Sequence, residues 1–182
     1  MKPRIIRSSG ISEDAWQLLG ITEAQSPESV PLPSGQVIFP LSVWQVRCQE
    51  IAARRLPYGI FLMATDAPEV LADALVTNAD QTHPDFGLIT LIAVNFAVFT
   101  DGRGYSIARL VRERYGFKGE LRAVGDVQVD QIYYMSRVGF DAFALPVDKN
   151  PERALAAFNT FSDAYQSGVD EPLPLFRRRV GA

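Results

Sequence analysis

Two stretches of this chain repeat one plan, and that plan constrains the fold more than any other feature. Val98-Phe99-Thr100-Asp101 runs through a glycine loop into a helix predicted over 106–115, and Gly116-Phe117 follows. Ala123-Val124-Gly125-Asp126 runs into a helix predicted over 128–138, and Gly139-Phe140 follows. The two aspartates stand 25 residues apart and the two Gly-Phe pairs 23 apart. Each unit reads as strand, Asp-bearing turn, helix, glycine stop and next strand, because glycine past a helix end supplies the left-handed conformation that closes it. Strands separated by single helices imply right-handed crossovers and a largely parallel sheet.

The same reading extends to both sides of the repeat. Gln36 to Phe39 is a short strand, and Pro40 opens a helix to about Arg55 with Val43, Trp44, Val46, Ile51 and Ala52 on one stripe. Tyr58-Gly59 ends it. The run GIFLMA, 59–64, lacks polar alternation, as in strands covered on both faces. A second helix starts at Asp66-Ala67-Pro68-Glu69 and ends near Asn78, and 80–87 is a polar loop. Leu88 to Phe99 is a β-branched strand, Phe140 to Leu145 another, and Pro151 opens a final helix to about Gln166 with Leu155, Phe158 and Phe161 on its stripe. The fold class is therefore α/β, with about five mainly parallel strands alternating with helices. An open sheet covered on both faces is preferred, and a partial β/α barrel is the alternative. Residues 36–167 form a single α/β domain. The proline-broken residues 1–35 are a peripheral extension, and 168–182 is a tail whose Arg177-Arg178-Arg179 is solvated.

Composition excludes several function classes. A net charge of −3 argues against a nucleic-acid surface, which needs clustered positive charge. The one cysteine, Cys48, and one histidine, His83, cannot make a Cys/His zinc site or hold an iron–sulfur cluster. Cys48 lies in an apolar-periodic helix and reads as a small core residue. The start of the chain, with Lys2, Arg4 and Arg7, lacks the apolar run of a signal peptide, and 88–99 is too short to span a bilayer. These features read as a soluble cytoplasmic protein without a membrane partner, and they leave a homo-oligomer open.

Ligands of parallel α/β sheets sit beyond the carboxyl ends of the strands. Asp101 and Asp126 fall there and are the candidate catalytic groups. Either can equally be a turn or helix-capping residue. Gly102 and Gly104 flank Arg103, and backbone N–H groups at such a turn, with the Ser106 hydroxyl and the Arg103 fork, suit an anion. The spacing GRGYS is neither G-x-G-x-x-G nor a phosphate loop, and no lysine occurs between residues 3 and 117. A structural turn is the competing reading. Arg122 lies inside a strand expected to be covered, so it pairs with a carboxylate such as Asp101 or Asp126, or points into a polar site. Asp130 and Gln131, on the helix after Asp126, join the candidate ligand-binding set. Arg137 suits a helix C-terminus. Arg109, Arg112 and Arg114 surround the stripe of Ile107, Leu110 and Val111 and read mainly as a solvated face. Ile132, Tyr133 and Met135 read as core or interface. No candidate metal ligands and no cofactor fingerprint emerge.

The block FTDGRGYSIARLVRERYGFKGELRAVGDVQVDQIYYMSRVGFDAF, 99–143, resembles a bacterial family with a domain of unknown function, whose genes commonly lie beside those for assimilatory sulfite reduction. Its members are often labelled oxidoreductases of that pathway. A looser similarity runs from Pro40-Leu41 and Trp44 to Tyr165-Gln166 and leaves out residues 1–35. Family members commonly carry Pro-Lys where this chain has Ala97-Val98, and Arg-Cys where it has Arg137-Val138. The resemblance implies an accessory protein of sulfite reduction, an oxidoreductase component, with sulfite reductase as partner. Alternatives are a non-redox protein binding a small anion, and a protein–protein adaptor for the reductase. The cofactor stays unspecified.

Overall fold

The computed structural model describes residues 4–22, 24–75, 85 and 87–180. Its strands are β1 (Arg4–Arg7), β2 (Gly10–Glu13), β3 (Gln17–Leu18), β4 (Val37–Pro40), β5 (Tyr58–Met63), β6 (Ile89–Phe96), β7 (Glu120–Gly125) and β8 (Ala142–Ala144). They form one open, strongly curled sheet in the order β2-β1-β8-β7-β6-β5-β4-β3, a half-barrel. From β3 to β8 every neighbouring pair is parallel, whereas β1 is antiparallel to both β8 and β2. The α/β class holds, and the barrel-like alternative describes the curl.

The order is singly wound: each of β4 to β8 pairs with the next in sequence. Crossovers of one hand and one direction put their helices on the same face. The helices are α1 (Leu41–Ala53), α2 (Ala72–Leu75), α3 (Arg103–Arg109), α4 (Ile132–Arg137), α5 (Pro151–Ala157) and α6 (Leu175–Val180). Buried residues of α1 to α5 merge into one cluster with Phe39, Ile60, Leu62, Ile92, Val94, Phe96, Leu121, Ala123 and Phe143. Period-two alternation sends Ile38, Leu91 and Ala93 to the other face, where Trp16, Phe61 and Val124 pack on them. Among the described residues no helix contributes to that second cluster. The connection between β2 and β3 lies there instead, because those strands sit on opposite edges of the sheet.

Residues 1–35 thus do more than extend the periphery: they supply both edges and the crossing between them. No periodicity announces strands of four, four and two residues. The helix expected from Pro40 spans Leu41–Ala53, with Val46 exposed rather than on the stripe because Arg47 leaves helical geometry (φ −130°, ψ 19°). It closes through Arg55 at φ 52°, and Tyr58 already belongs to β5. The second helix is a 3-10 turn over Pro68–Leu71 followed by α2, and its expected end at Asn78, like His83, lies outside the described residues. The final helix stops at Ala157, where the Thr160 hydroxyl donates to the Ala157 carbonyl (2.7 Å), so Phe161 leaves the stripe and is exposed. Residues 175–180, expected as tail, form α6. Both Gly-Phe stops are present as expected, with Gly116 at φ 67° and Gly139 at φ 115°. Among the described residues no helix is long and apolar enough to cross a membrane.

Candidate functional site

The carboxyl ends of β6 and β7 bring their following loops side by side, and Asp126 ties them together. Its Oδ2 accepts from the Phe99 amide at 3.0 Å, and its Oδ1 from Gln128 Nε2 at 2.5 Å. The Asp126 amide donates to the Phe96 carbonyl at 2.7 Å. Gln131 completes the clamp, with Nε2 donating to the Phe99 carbonyl at 2.9 Å. Asp126 and Gln131 are therefore brought together, each holding one backbone group of Phe99. Gly125 permits this approach. Its φ is +90°, and a Cβ there would stand 2.6 Å from Asn95 Oδ1.

Asp101 is engaged within its own loop. Its Oδ1 accepts from the Arg103 amide (3.1 Å) and Arg103 Nε (2.9 Å), and its Oδ2 from Arg103 Nη2 (2.6 Å). The bonds from the Arg103 side chain, then that from its amide, hold the Asp101 carboxyl down to about 2. Arg103 is exposed and turned onto this partner. Gly104 is required for packing: a Cβ there would lie 2.5 Å from Phe96 Cζ, so the glycine lets α3 settle on the ring. Gly102 has open space around it and an ordinary φ of −75°. The helix begins at Arg103, so Ser106 is an exposed residue inside α3 rather than its opening. Asp130 is also exposed, and with Gln128, Lys149, Asn150 and Arg153 it borders a shallow hollow of about 770 Å³.

Arg122 joins neither aspartate. It sits mid-strand on the face opposite the helices, three residues before the end of β7, a rise of about 10 Å. Only 1% of its side chain is exposed. Nη1 donates to Asp14 Oδ2 and Nε to Glu120 Oε1, both at 2.7 Å. Glu120 Oε2 also accepts from Arg7 Nη2 at 2.6 Å. Arg122 Nη2 is buried with no hydrogen-bond partner among the described residues. The expected pairing with Asp101 or Asp126 is thus replaced by one with Asp14 and Glu120, and Arg103 and Arg122 do not share an anion site. Glu120 was legible in principle, since residues i and i+2 share a strand face. Asp14, 108 residues away in sequence, was not.

A second arginine, Arg112, departs from the solvated face expected of it. Past α3 the helix widens into a π turn, Leu110–Arg114, which turns Arg112 inward. Its Nε donates to the Gly139 carbonyl (2.9 Å), Nη1 to those of Phe117 and Gly119 (both 2.8 Å), and Nη2 to Asp141 Oδ2 (2.6 Å). Burial pushes the Asp141 carboxyl up, against the opposing pull of the Arg112 charge. At the rim itself, Met63, Val98 and Phe99 are 40%, 52% and 48% exposed.

Fold and rim define a class: a singly wound, curled α/β sheet whose ligand-side loops are clamped by their own carboxylates. Residues 71–176 match a family described as "Bacterial protein of unknown function (DUF934)", and the chain belongs to that bacterial family. No curated protein and no solved structure matches it.

Proposed function

We propose that the protein is an accessory component of assimilatory sulfite reduction that works by docking on the reductase. The observation that carries this reading is the state of the rim. Where a parallel α/β enzyme would present free acids, Asp101 is closed by Arg103 and both Asp126 oxygens hold loops. The same rim offers Met63, Val98 and Phe99 to solvent. Apolar and aromatic side chains left at a rigid rim suit burial against another protein. The resemblance of residues 99–143 supplies the pathway, and one cysteine supplies the need for a partner, since this chain cannot bind a four-cysteine iron–sulfur centre.

The test is co-purification of the full chain with sulfite reductase subunits at low and high ionic strength. Retention at both is expected, because the contact is largely apolar. Phe99→Asp should abolish it while keeping the loop clamp, which uses only the Phe99 backbone. Failure to co-purify at either ionic strength, or unchanged retention of Phe99→Asp, would overturn the proposal.

A further inference from the structure

On the helical side of the molecule, away from the rim, lies a cleft of about 440 Å³. One wall comes from α3 and α4 through Arg109, Tyr133, Tyr134 and Arg137, and the other from the segment after α5 through Phe161 and Tyr165. The second wall is fixed in place. The Val169 amide donates to the Arg137 carbonyl (2.8 Å), the Leu175 amide to the Tyr165 carbonyl (3.2 Å), and Arg178 Nη2 to the Ala164 carbonyl (3.0 Å). Tyr133 and Phe161 meet edge to face with ring centres 5.0 Å apart. Tyr134 and Tyr165 remain 61% and 70% exposed.

These features ask for a ligand with a flat ring and a negative charge. Exposed tyrosines on two walls offer ring faces, and the indifference of stacking to base identity suits heterocycles in general. Arg137 Nη2 donates to the Gln166 carbonyl and its guanidinium pairs loosely with Asp170 at 3.6 Å, while its buried Nε has no hydrogen-bond partner among the described residues. Arg109 is exposed and, among the described residues, holds only Glu113 at 2.9 Å, a surface pair that exchanges at little cost. Asp163, whose Oδ1 pairs with Arg178 Nη1 at 3.4 Å, also borders the cleft, and its other oxygen can accept from sugar hydroxyls. The volume falls in the range of small-molecule sites and is far more than a tetrahedral oxyanion fills.

We propose that this cleft is a binding site for a nucleoside phosphate, with the base between Tyr134 and Tyr165 and the anion toward Arg109 and Arg137. This goes beyond docking on the reductase and stands independently of it, because Met63, Val98 and Phe99 take no part in the cleft.

Calorimetric titration of the full chain with adenosine monophosphate, adenosine and inorganic phosphate tests it. The nucleotide should bind tightest, adenosine more weakly, and phosphate weakest. Tyr134→Ala and Tyr165→Ala should each weaken the nucleotide by about five- to a hundredfold. Arg109→Ala should weaken the nucleotide and leave adenosine unchanged. Both tyrosines are exposed, so unchanged circular dichroism should accompany the loss. The proposal is overturned if the nucleotide fails to bind at millimolar concentration, if phosphate binds as tightly as the nucleotide, or if both tyrosine variants bind like the parent.

Discussion

Replacing Asp14 with alanine strips one of two carboxylates from an arginine that is 1% exposed. Arg122 would then keep Glu120 alone, through Nε, and Glu120 is already shared with Arg7. Nη1 would lose its bond while Nη2 already has none among the described residues, leaving most of a buried guanidinium unpaired. Breaking a buried pair from one side costs about 3–5 kcal/mol, because the remaining charge stays desolvated. For a chain of this size that corresponds to a fall in Tm of about 6–20 °C. Arg122→Met in the same background removes the stranded charge and fills the space with an apolar side chain. The double variant should therefore be more stable than Asp14→Ala alone, by about 2 kcal/mol. Urea unfolding of the parent, both single variants and the double closes the cycle. A spectroscopic change should accompany it: Asp14 Oδ1 also accepts from the Trp16 amide (3.0 Å), so Trp16 emission should shift to the red in Asp14→Ala. The other tryptophan, Trp44, is buried in the main core on α1 and should report little. Strict additivity of the two single substitutions would refute the claim that Arg122 is an internal charge held by this pair.

The glycine loop should separate by role. Gly104→Ala should lower stability by about 1–3 kcal/mol as its Cβ meets the Phe96 ring, whereas Gly102→Ala, at an ordinary φ with open space, should be neutral or stabilising by about 0.4–1 kcal/mol in thermal melts. Asp126→Ala should cost about 1–3 kcal/mol and speed hydrogen exchange at the Phe99 amide, the donor it releases. Asp101 has a folded-state pKa of about 2, below its unfolded value. Its pairing with Arg103 therefore contributes stability above about pH 4 and loses it as pH falls toward 2. A carboxyl titration followed by NMR should show that low value, and Arg103→Ala should return it toward about 3.9.

The repeat over 98–140 carried the fold class because glycine stops and Asp turns obey local rules that tertiary contacts rarely override. Strand order obeys none of them. Whether β4 to β8 wind in one direction or reverse is decided by packing between segments, so coverage of the second face by helices was a natural expectation, yet among the described residues no helix packs on that face. Arg112 was misread for a local reason: at α-helical spacing it shares a face with Arg109, which is exposed, and only the π turn rotates it inward. Arg122 was correctly marked as a charge needing a partner, yet its partner Asp14 came from a proline-punctuated segment without any pattern to place it. The rim aspartates were located by strand ends, but a sequence cannot tell a free carboxylate from one already holding an amide. The cleft between α4 and the segment after α5 was invisible because the final helix was read through Tyr165, which in the structure stands past its end.

The segment from Arg4 to Leu18 places a strand pair on one edge of the sheet and a strand on the other. That arrangement has a consequence for the order of assembly. Ile5 pairs with Ala144 across nearly the whole chain, so a ribosome releases β1 long before its partner exists. The strand pair made first, β1 and β2, is then the last to dock, and until it does, the β8 flank of the nascent sheet stays open to pairing with other chains, whereas β3 finds β4 as soon as that strand is made.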